Sequence, residues 1–390
     1  MRILIVEPDL SDNGAMRVTL DRGARWARIA DVRYLITSPD TRHQAESVEI
    51  PANSPMTFGA SHILPRPLRR RLPKTLGCYT AVFASVLRGL SLARKADVIV
   101  AGREIGNGLL AARALARITG RPLAVTVQSN IGTAIEAYTP PGLREPTKHV
   151  YKHVDLAVCV SAGLTPSVEA VGVPPSRIKV VHNGLDSAHI QALAKQPPSI
   201  PLPVGKIVVL SGRLSYQKGF DIAIRAHAAA LAAGAPRHTL LILGEGDARG
   251  ELQALATELN VSGSVMLPGF IGNPHAIVAR ADVFLMTSRW EGFSLVLAEA
   301  LAVGTPIIAT DCVSGPSEIL EQGQYGDLFA VEDVKGMSQS LTKHLNDPNR
   351  LRLKAAAGRT SVLLRFNSDN AANQHLVLLN EIRSINKIGV

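Results

Sequence analysis

Two carboxylates, Glu291 and Glu299, stand eight residues apart in the stretch 281–318, ADVFLMTSRWEGFSLVLAEALAVGTPIIATDCVSGPSE. An ionised carboxylate is a strong acceptor for hydroxyl donors, so two of them at a set separation can hold two hydroxyl-bearing groups. Between them lies Ser294, a good capping residue, where the pattern predicts a helix to begin. The first backbone N–H groups of a helix have no partner within it and offer an anion site. Hydroxyls at both ends with phosphate between describe a nucleotide sugar. Taken alone, the pair also reads as two solvated charges near a helix terminus, so the rest of the chain must decide.

Cations suited to such a phosphate lie in the loop 211–219, SGRLSYQKG, between a predicted strand at 206–210 and a predicted helix at 220–233. Arg213 and Lys218 flank the amino end of that helix, where cations and free N–H groups together would clamp a diphosphate; paired surface charges are the other reading. Gly212 in this loop, and Gly244 and Gly246 after the next predicted strand (238–243), fall at strand-to-helix turns. The run GEGDARGEL is spaced G-x-G-x-x-x-G, one residue too long for a dinucleotide fingerprint. After the strand expected at 264–267, where that fingerprint wants an acid, come Pro268, Gly269 and Phe270.

These residues need strands and helices to carry them. A buried strand at 282–286, a polar loop at 287–293, an apolar helix at 294–302, a Gly-Thr-Pro stop and a strand at 306–310 form one βαβ unit. In an open parallel sheet, the crevice beyond the carboxyl ends of the strands is where ligands bind. The same rhythm fills the first half, with strands expected at 2–6, 32–37, 97–101, 123–127, 155–160 and 178–182. Helices are expected between them at 14–30, opened by Gly14, and at 106–119, 147–153 and 161–171. The alternation predicts an α/β protein with doubly wound parallel sheets. His182, Asn183 and Gly184 predict a tight turn with positive φ. The segment 195–205, KQPPSIPLPVG, reads as a linker between a domain at 1–196 and one at 204–367. A last helix at about 368–383 carries Leu376, Leu379 and Ile382 on one stripe and follows the point where the second domain is complete.

At 390 residues the chain is long enough for two cores, and 46% hydrophobic against 19% charged residues excludes a disordered class. Cys78, Cys159 and Cys312 are far apart and lack metal-ligand spacing, which fits a reducing compartment. The amino terminus, MRILIVEPD, is a short apolar run stopped by an acid, a strand rather than a signal peptide. No run approaches the ~18 apolar residues of a spanning helix, so a cytoplasmic protein is expected. Net charge is +10, and residues 61–121 hold 12 basic and 2 acidic residues, which places the whole excess in one segment. There Arg66, Arg69, Arg70, Arg71 and Lys74 interleave with leucines just before an apolar stretch at 76–95. A basic cluster beside an apolar helix fits a surface resting on anionic lipid, solvated arginines on a loop being the alternative. No nucleic-acid-binding motif accompanies the charge.

The combination of SGRLSYQKG, LGEGD, LPGF, SRWEGFSLVLAEALAVGTPIIATD and GPSE resembles the donor domain of the retaining, two-domain glycosyltransferases of glycosyltransferase family 4. DLAVCVSAGL and VVHNGLD resemble segments of its first half. The resemblance covers nearly the whole chain, strongly from about 155 to 328 and weakly before 123. It implies the GT-B fold, two Rossmann-like doubly wound parallel-sheet domains facing a cleft, with the last helix (about 368–390) crossing back onto the N-terminal, acceptor-binding domain. It implies that Glu299 binds the ribose hydroxyls and Glu291 those of the donor sugar. Arg213 and Lys218 would hold the diphosphate, making Glu291, Arg213 and Lys218 the catalytic set. The backbone of Phe293, Ser294 and Leu295 would meet sugar and phosphate, Gly269 and Phe270 the base, and Gly14, Gly212 and Gly244 would border the donor. Two departures stand out. Many members have a glycine pair in the first loop, and here it reads Asn13, Gly14, Ala15. Many have a histidine after the strand at 123–127, and here Gln128 stands, which cannot take a proton. Glu104 in AGREIGNG is the candidate substitute, and with Gln128, Arg69, Arg70 and Arg71 it completes the acceptor-side set.

The expected activity is that of a hexosyltransferase moving a sugar from a UDP- or GDP-sugar to a saccharide or lipid-linked acceptor at the inner face of the cytoplasmic membrane, in polysaccharide or lipopolysaccharide synthesis. No cofactor and no metal are expected, because cations and a helix N-terminus can stabilise the departing diphosphate and no His/Asp cluster has metal-ligand spacing. The alternatives are transfer to a soluble small molecule, and a sugar-nucleotide epimerase of the same architecture, which would turn over donor without an acceptor.

Overall fold

The computed structural model describes residues 1–10, 14–38, 56–58 and 74–388, so Arg69, Arg70 and Arg71 lie outside the described residues. The chain divides into two compact units, Met1–Gly184 with Ser368–Val390, and Leu185–Asn367.

The first unit holds a sheet of seven parallel strands in the order β3-β2-β1-β4-β5-β6-β7. These are β1 (Arg2–Glu7), β2 (Asp31–Ile36), β3 (Met56–Phe58), β4 (Val98–Ala101), β5 (Leu123–Val127), β6 (Leu156–Cys159) and β7 (Ile178–Val180). Their near-continuous apolar runs match strands covered on both faces; β4 and β5 are buried throughout. β1 pairs with β2 on one side (Ile3 opposite Val32) and β4 on the other (Ile3 opposite Val98), so the strand order reverses at β1. The second unit repeats the plan with six parallel strands, ordered β10-β9-β8-β11-β12-β13. They are β8 (Lys206–Ser211), β9 (His238–Leu243), β10 (Val265–Gly269), β11 (Val283–Met286), β12 (Ile307–Thr310) and β13 (Asp327–Phe329), and the order reverses at β8.

The boundary falls earlier than the proline-rich segment predicts. The helix Ser187–Lys195 belongs to the second unit, where it packs against the helices His275–Val278 and Leu295–Ala302. Asn273 Nδ2 and Arg280 Nη1 donate to its last carbonyls, Leu193 O and Ala194 O, at 3.0 Å each. Those long-range bonds are invisible in local composition. Gly184 also differs from expectation, since neither it nor Asn183 has positive φ. A Cβ on Gly184 would lie 2.4 Å from Ser368 Cα, so glycine is needed where the two crossings of the chain touch.

The closing helix Ser368–Ile388 lays Leu376, Leu379 and Ile382 into the first unit's core beside Trp26, and the Trp26 indole donates to Ala372 O at 2.9 Å. The helix Lys74–Lys95 corrects the reading that no segment is apolar enough to span a bilayer, since Thr75–Lys95 passes by length and composition. One face is nonetheless packed within the unit through Ala81, Ser85, Gly89 and Ala93. The opposite face exposes Leu76, Tyr79, Phe83 and Leu87, each 44–57% accessible.

Candidate active site

The loops after β8 and β11 flank the point where strand order reverses in the second unit, the place where open α/β sheets bind ligands. They carry the expected residues. Lys218 Nζ lies 2.7 Å from Glu291 Oε1, and Ser288 Oγ donates to the same oxygen at 2.7 Å. Glu291 is 7% exposed. Its carbonyl accepts from Ser314 Oγ at 2.6 Å, and Ser288 O accepts from Thr310 Oγ1 at 2.7 Å, so the loop after β12 buttresses it. The two loops are also laced together, with Gln217 Nε2 donating to Trp290 O at 3.0 Å and Thr287 Oγ1 to Lys218 O at 3.1 Å. Arg289 braces the outside through two bonds to Asp221 (2.9 and 2.7 Å) and one to Glu332 (2.7 Å). Burial alone would push the Asp221 carboxyl up, but Arg289 holds it below the ordinary carboxylate range. Ser314, Gln217 and Arg289 were missed in the sequence because each acts through a contact with another segment, and Ser288, which reaches Glu291 within its own loop, was missed with them.

Ser294 corrects its expected role. The helix Leu295–Ala302 begins after it, but Ser294 is left-handed (φ 64°) and makes no capping bond. Its hydroxyl turns back to Met286 Sδ at 3.0 Å. The side chain therefore leaves the first helical N–H groups uncapped, and a non-glycine residue at positive φ is a strain that surrounding structure must enforce. Phe293 is buried edge-on against Phe366, Leu295 is half-buried, and Glu299 is half-buried one turn along the helix. Arg213 is exposed on the loop that carries Lys218. Gly244 meets that loop so closely that a Cβ would lie 1.9 Å from Gly212 O. Gly269 ends β10, followed by Phe270, 65% exposed. Gly14 opens the helix Gly14–Trp26 of the first unit, apart from this cluster in the chain's division.

In the first unit, Glu104 follows β4 and is buried. Its carboxylate accepts from the Ser129 hydroxyl and from Gln128 N (3.3 Å), and burial pushes its pKa up against those bonds. The Tyr151 hydroxyl donates to its carbonyl. Gln128 Nε2 donates to Gly102 O at 3.2 Å and Ala15 O at 3.4 Å, tying the loop after β4 to the first helix. A second carboxylate was missed. Glu7, the acid that stops the first apolar run, is fully buried at the end of β1. Among the described residues no three His, Cys, Asp or Glu side chains gather as metal ligands.

Residues 195–360 match the family described as Glycosyl transferases group 1, and residues 13–189 match Glycosyltransferase Family 4. The N-acetylgalactosamine-N,N'-diacetylbacillosaminyl-diphospho-undecaprenol 4-alpha-N-acetylgalactosaminyltransferase of Campylobacter jejuni is 33% identical over 199 residues, 51% of this chain and 53% of that protein. The lipopolysaccharide core biosynthesis glycosyltransferase LpsE of Rhizobium meliloti is 29% identical over 236 residues, 60% of this chain and 67% of that protein. The matches thus span about half to two thirds of those relatives' length. Among solved structures, Anabaena Alr3699/HepE in complex with UDP-glucose superimposes with a TM-score of 0.78 at 21% identity, covering 98% of this chain and 100% of that one. The outer core galactosyltransferase WaaB follows with a TM-score of 0.69 at 18% identity, covering 97% and 99%. These likenesses fix the fold as GT-B. With the two family matches lying end to end along the chain, and the motif residues gathered at the second sheet's switch point, the protein belongs to glycosyltransferase family 4.

Proposed function

We propose that the protein is a retaining, metal-independent glycosyltransferase that moves a hexose from a nucleotide-diphosphate sugar to a hydroxyl of a lipid-linked or polysaccharide acceptor. The carrying observation is the Lys218–Glu291 pair at 2.7 Å. It joins a phosphate-binding cation to a hydroxyl-binding carboxylate, so the group bound between them is the junction of sugar and diphosphate. Breaking that bond builds negative charge on the departing phosphate. Lys218, Arg213 and the uncapped N–H groups at Leu295 are preorganised to stabilise it more in the transition state than in the ground state, with no metal needed in the account. Glu299 takes the ribose, and the segment at Gly269 and Phe270 takes the base. A UDP-sugar is the favoured donor, since HepE was crystallised with UDP and UDP-glucose.

The acceptor reading rests on the first unit. Leu76, Tyr79, Phe83 and Leu87 fall on one helical face, and Arg88, Arg94 and Lys95 share the exposed part of that helix. An apolar stripe flanked by cations suits the headgroup region of an anionic bilayer, and the Campylobacter and Rhizobium relatives are named for undecaprenol-linked and lipopolysaccharide acceptors. The enzyme would then work at the inner face of the cytoplasmic membrane.

Thermal shift with UDP, GDP, ADP and their sugar conjugates, in EDTA, tests the donor site, with Glu299→Ala alongside. A ligand at 100 times its Kd adds about 2.7 kcal/mol of apparent stability. One nucleotide series should stabilise the wild type and lose that effect in Glu299→Ala; no stabilisation by any of them, with or without magnesium, would sink the donor reading.

A further inference from the structure

The first sheet also reverses its strand order, at β1, and the loops that flank this switch point carry charged groups the proposed mechanism does not use. Glu7 ends β1 with its side chain wholly buried. The carboxylate occupies the space left by the missing side chain of Gly102, where a Cβ would lie 1.6 Å from Glu7 Oε1. Neither oxygen has a hydrogen bond of good geometry; the Thr19 hydroxyl, which donates to Ala15 O at 3.1 Å, is the weakest of the neighbours that draw the Glu7 pKa down. What faces Glu7 is cationic. Arg103, on the loop after β4, brings Nε to 3.6 Å from Oε2 and reaches Asp9 with Nη2 at 3.1 Å. Arg22 acts from the other side, anchored by bonds to Thr126 on β5 (3.2 Å) and His375 on the closing helix (3.3 Å). Tyr34 of β2 and Asp9 complete the charged and titratable surroundings.

A buried carboxylate without a well-formed hydrogen bond is costly, and facing cations offset only part of that cost. Here the cation that offsets most of it is the residue immediately before Glu104. We propose that Glu7 is a positioning residue: across the β1/β4 switch point it holds Arg103, and through Arg103 it fixes the loop Gly102–Glu104 that presents Glu104 to the acceptor. The role of Glu104 rests on the acceptor-side reading above; the holding of the loop does not. Burial pushes the Glu7 carboxyl up to about 7 against the opposing pull of Arg103 and Arg22, so the hold weakens as pH falls through neutrality.

Amide hydrogen exchange of the full chain, corrected for intrinsic rates, reads this without a known acceptor. In Glu7→Gln, which keeps the shape and removes the charge, the amides of residues 103–106 should exchange at least ten times faster than wild type at pH 8. The gap should close by pH 6 as the wild-type carboxyl takes its proton, while β5 amides stay within twofold. Arg103→Gln should show the same rise, and the double variant no more than either single one. Exchange in Glu7→Gln equal to wild type at pH 8, or a rise shared by the whole first unit, would overturn the proposal. Failure of the acceptor reading would instead leave the exchange result standing and appear only as Glu104→Gln retaining turnover.

Discussion

Lys218 and Glu291 form an ion pair in which both partners are largely withdrawn from solvent, the lysine 19% and the glutamate 7% exposed, with one hydrogen bond from Ser288 supporting the acid. Pairs of this kind are poor sources of stability but are costly to break from one side, because the remaining charge keeps its burial and loses its partner.

Lys218→Ala should therefore lower both stability and turnover, the former by about 1–3 kcal/mol and the latter by about 100-fold or more, since the proposed phosphate donor is lost as well. Glu291→Gln keeps the Ser288 contact and the shape but leaves the Lys218 charge without its partner, so it too should melt below wild type while turnover collapses. Paired melting and donor-turnover measurements check this; turnover within threefold of wild type in both variants would remove the pair from the mechanism.

Membrane docking makes a different demand. Phe83→Ser with Leu87→Ser removes two side chains from the exposed stripe of Lys74–Lys95 and none from its packed face. At about 1 kcal/mol of apolar transfer per half-buried side chain, partitioning onto vesicles containing phosphatidylglycerol should fall roughly tenfold or more, with melting unchanged. Binding of the wild type should weaken with salt, as attraction between basic residues and anionic headgroups does. Equal sedimentation of both proteins with vesicles, or none of the wild type, would return the helix to an ordinary surface element and favour a soluble acceptor.

The strands that position the donor loops were legible because each is a short apolar run ending in a polar or glycine-rich turn; Arg213, Lys218 and Glu291 sit in those turns, and Glu299 on the helix that follows one of them. The closing helix was legible from the stripe of Leu376, Leu379 and Ile382. What the sequence withheld depends on contacts between distant segments. Asp186 caps the helix Ser187–Lys195, accepting from His189 N at 3.0 Å, yet that helix's allegiance is decided by Asn273 and Arg280, about 80 residues away. Ser294 has the composition of a cap and the conformation of something else, because Met286 and the buried loop dictate its φ. Glu7 looked like the residue that merely ends a strand, since nothing local announces a glycine 95 positions later making room for its carboxylate.

Acid should loosen the second unit through a histidine pair remote from the donor loops. His227 Nδ1 lies 2.8 Å from His238 Nε2, His238 Nδ1 lies 2.8 Å from Pro236 O, and His227 Nε2 lies 2.8 Å from Ser264 Oγ. The chain is satisfied with both rings neutral: His238 Nδ1–H donates to the carbonyl, so His238 Nε2 accepts from His227. Burial, then the neighbouring His238, depresses His227 to about 3. The unfolded chain takes this proton near pH 6.5 and the folded one only near 3, so stability is complete above 6.5 and is lost as pH falls below it. At pH 5 the loss from His227 alone is about 2 kcal/mol. Denaturant unfolding of wild type and His227→Gln between pH 7.5 and 5 checks this; the slope should flatten in the variant whatever its absolute stability, and an unchanged slope would contradict it.

Glu7 has the opposite sign. Its folded pKa, about 7, lies above the ordinary value of 4.5 because burial outweighs Arg103 and Arg22. The folded state therefore binds the proton more tightly than the unfolded one. Its contribution is fully present below pH 4.5 and is lost as pH rises through 7, an ionisation cost on the order of 3 kcal/mol by pH 8. Glu7→Gln, neutral at every pH, escapes that cost. The variant should be more stable than wild type at pH 8 by about 2–3 kcal/mol, and the two should converge as pH falls toward 4.5. Read with the exchange experiment, this separates two explanations for the buried acid. A residue kept only for packing would lose stability on substitution and loosen no particular loop. A positioning residue should trade global stability for local order, so Glu7→Gln melts higher while its 103–106 amides exchange faster. Denaturant curves at pH 5 and pH 8 on the variant and wild type decide it, and a variant less stable than wild type at pH 8 would show that the charge of Glu7 is fully matched in the fold.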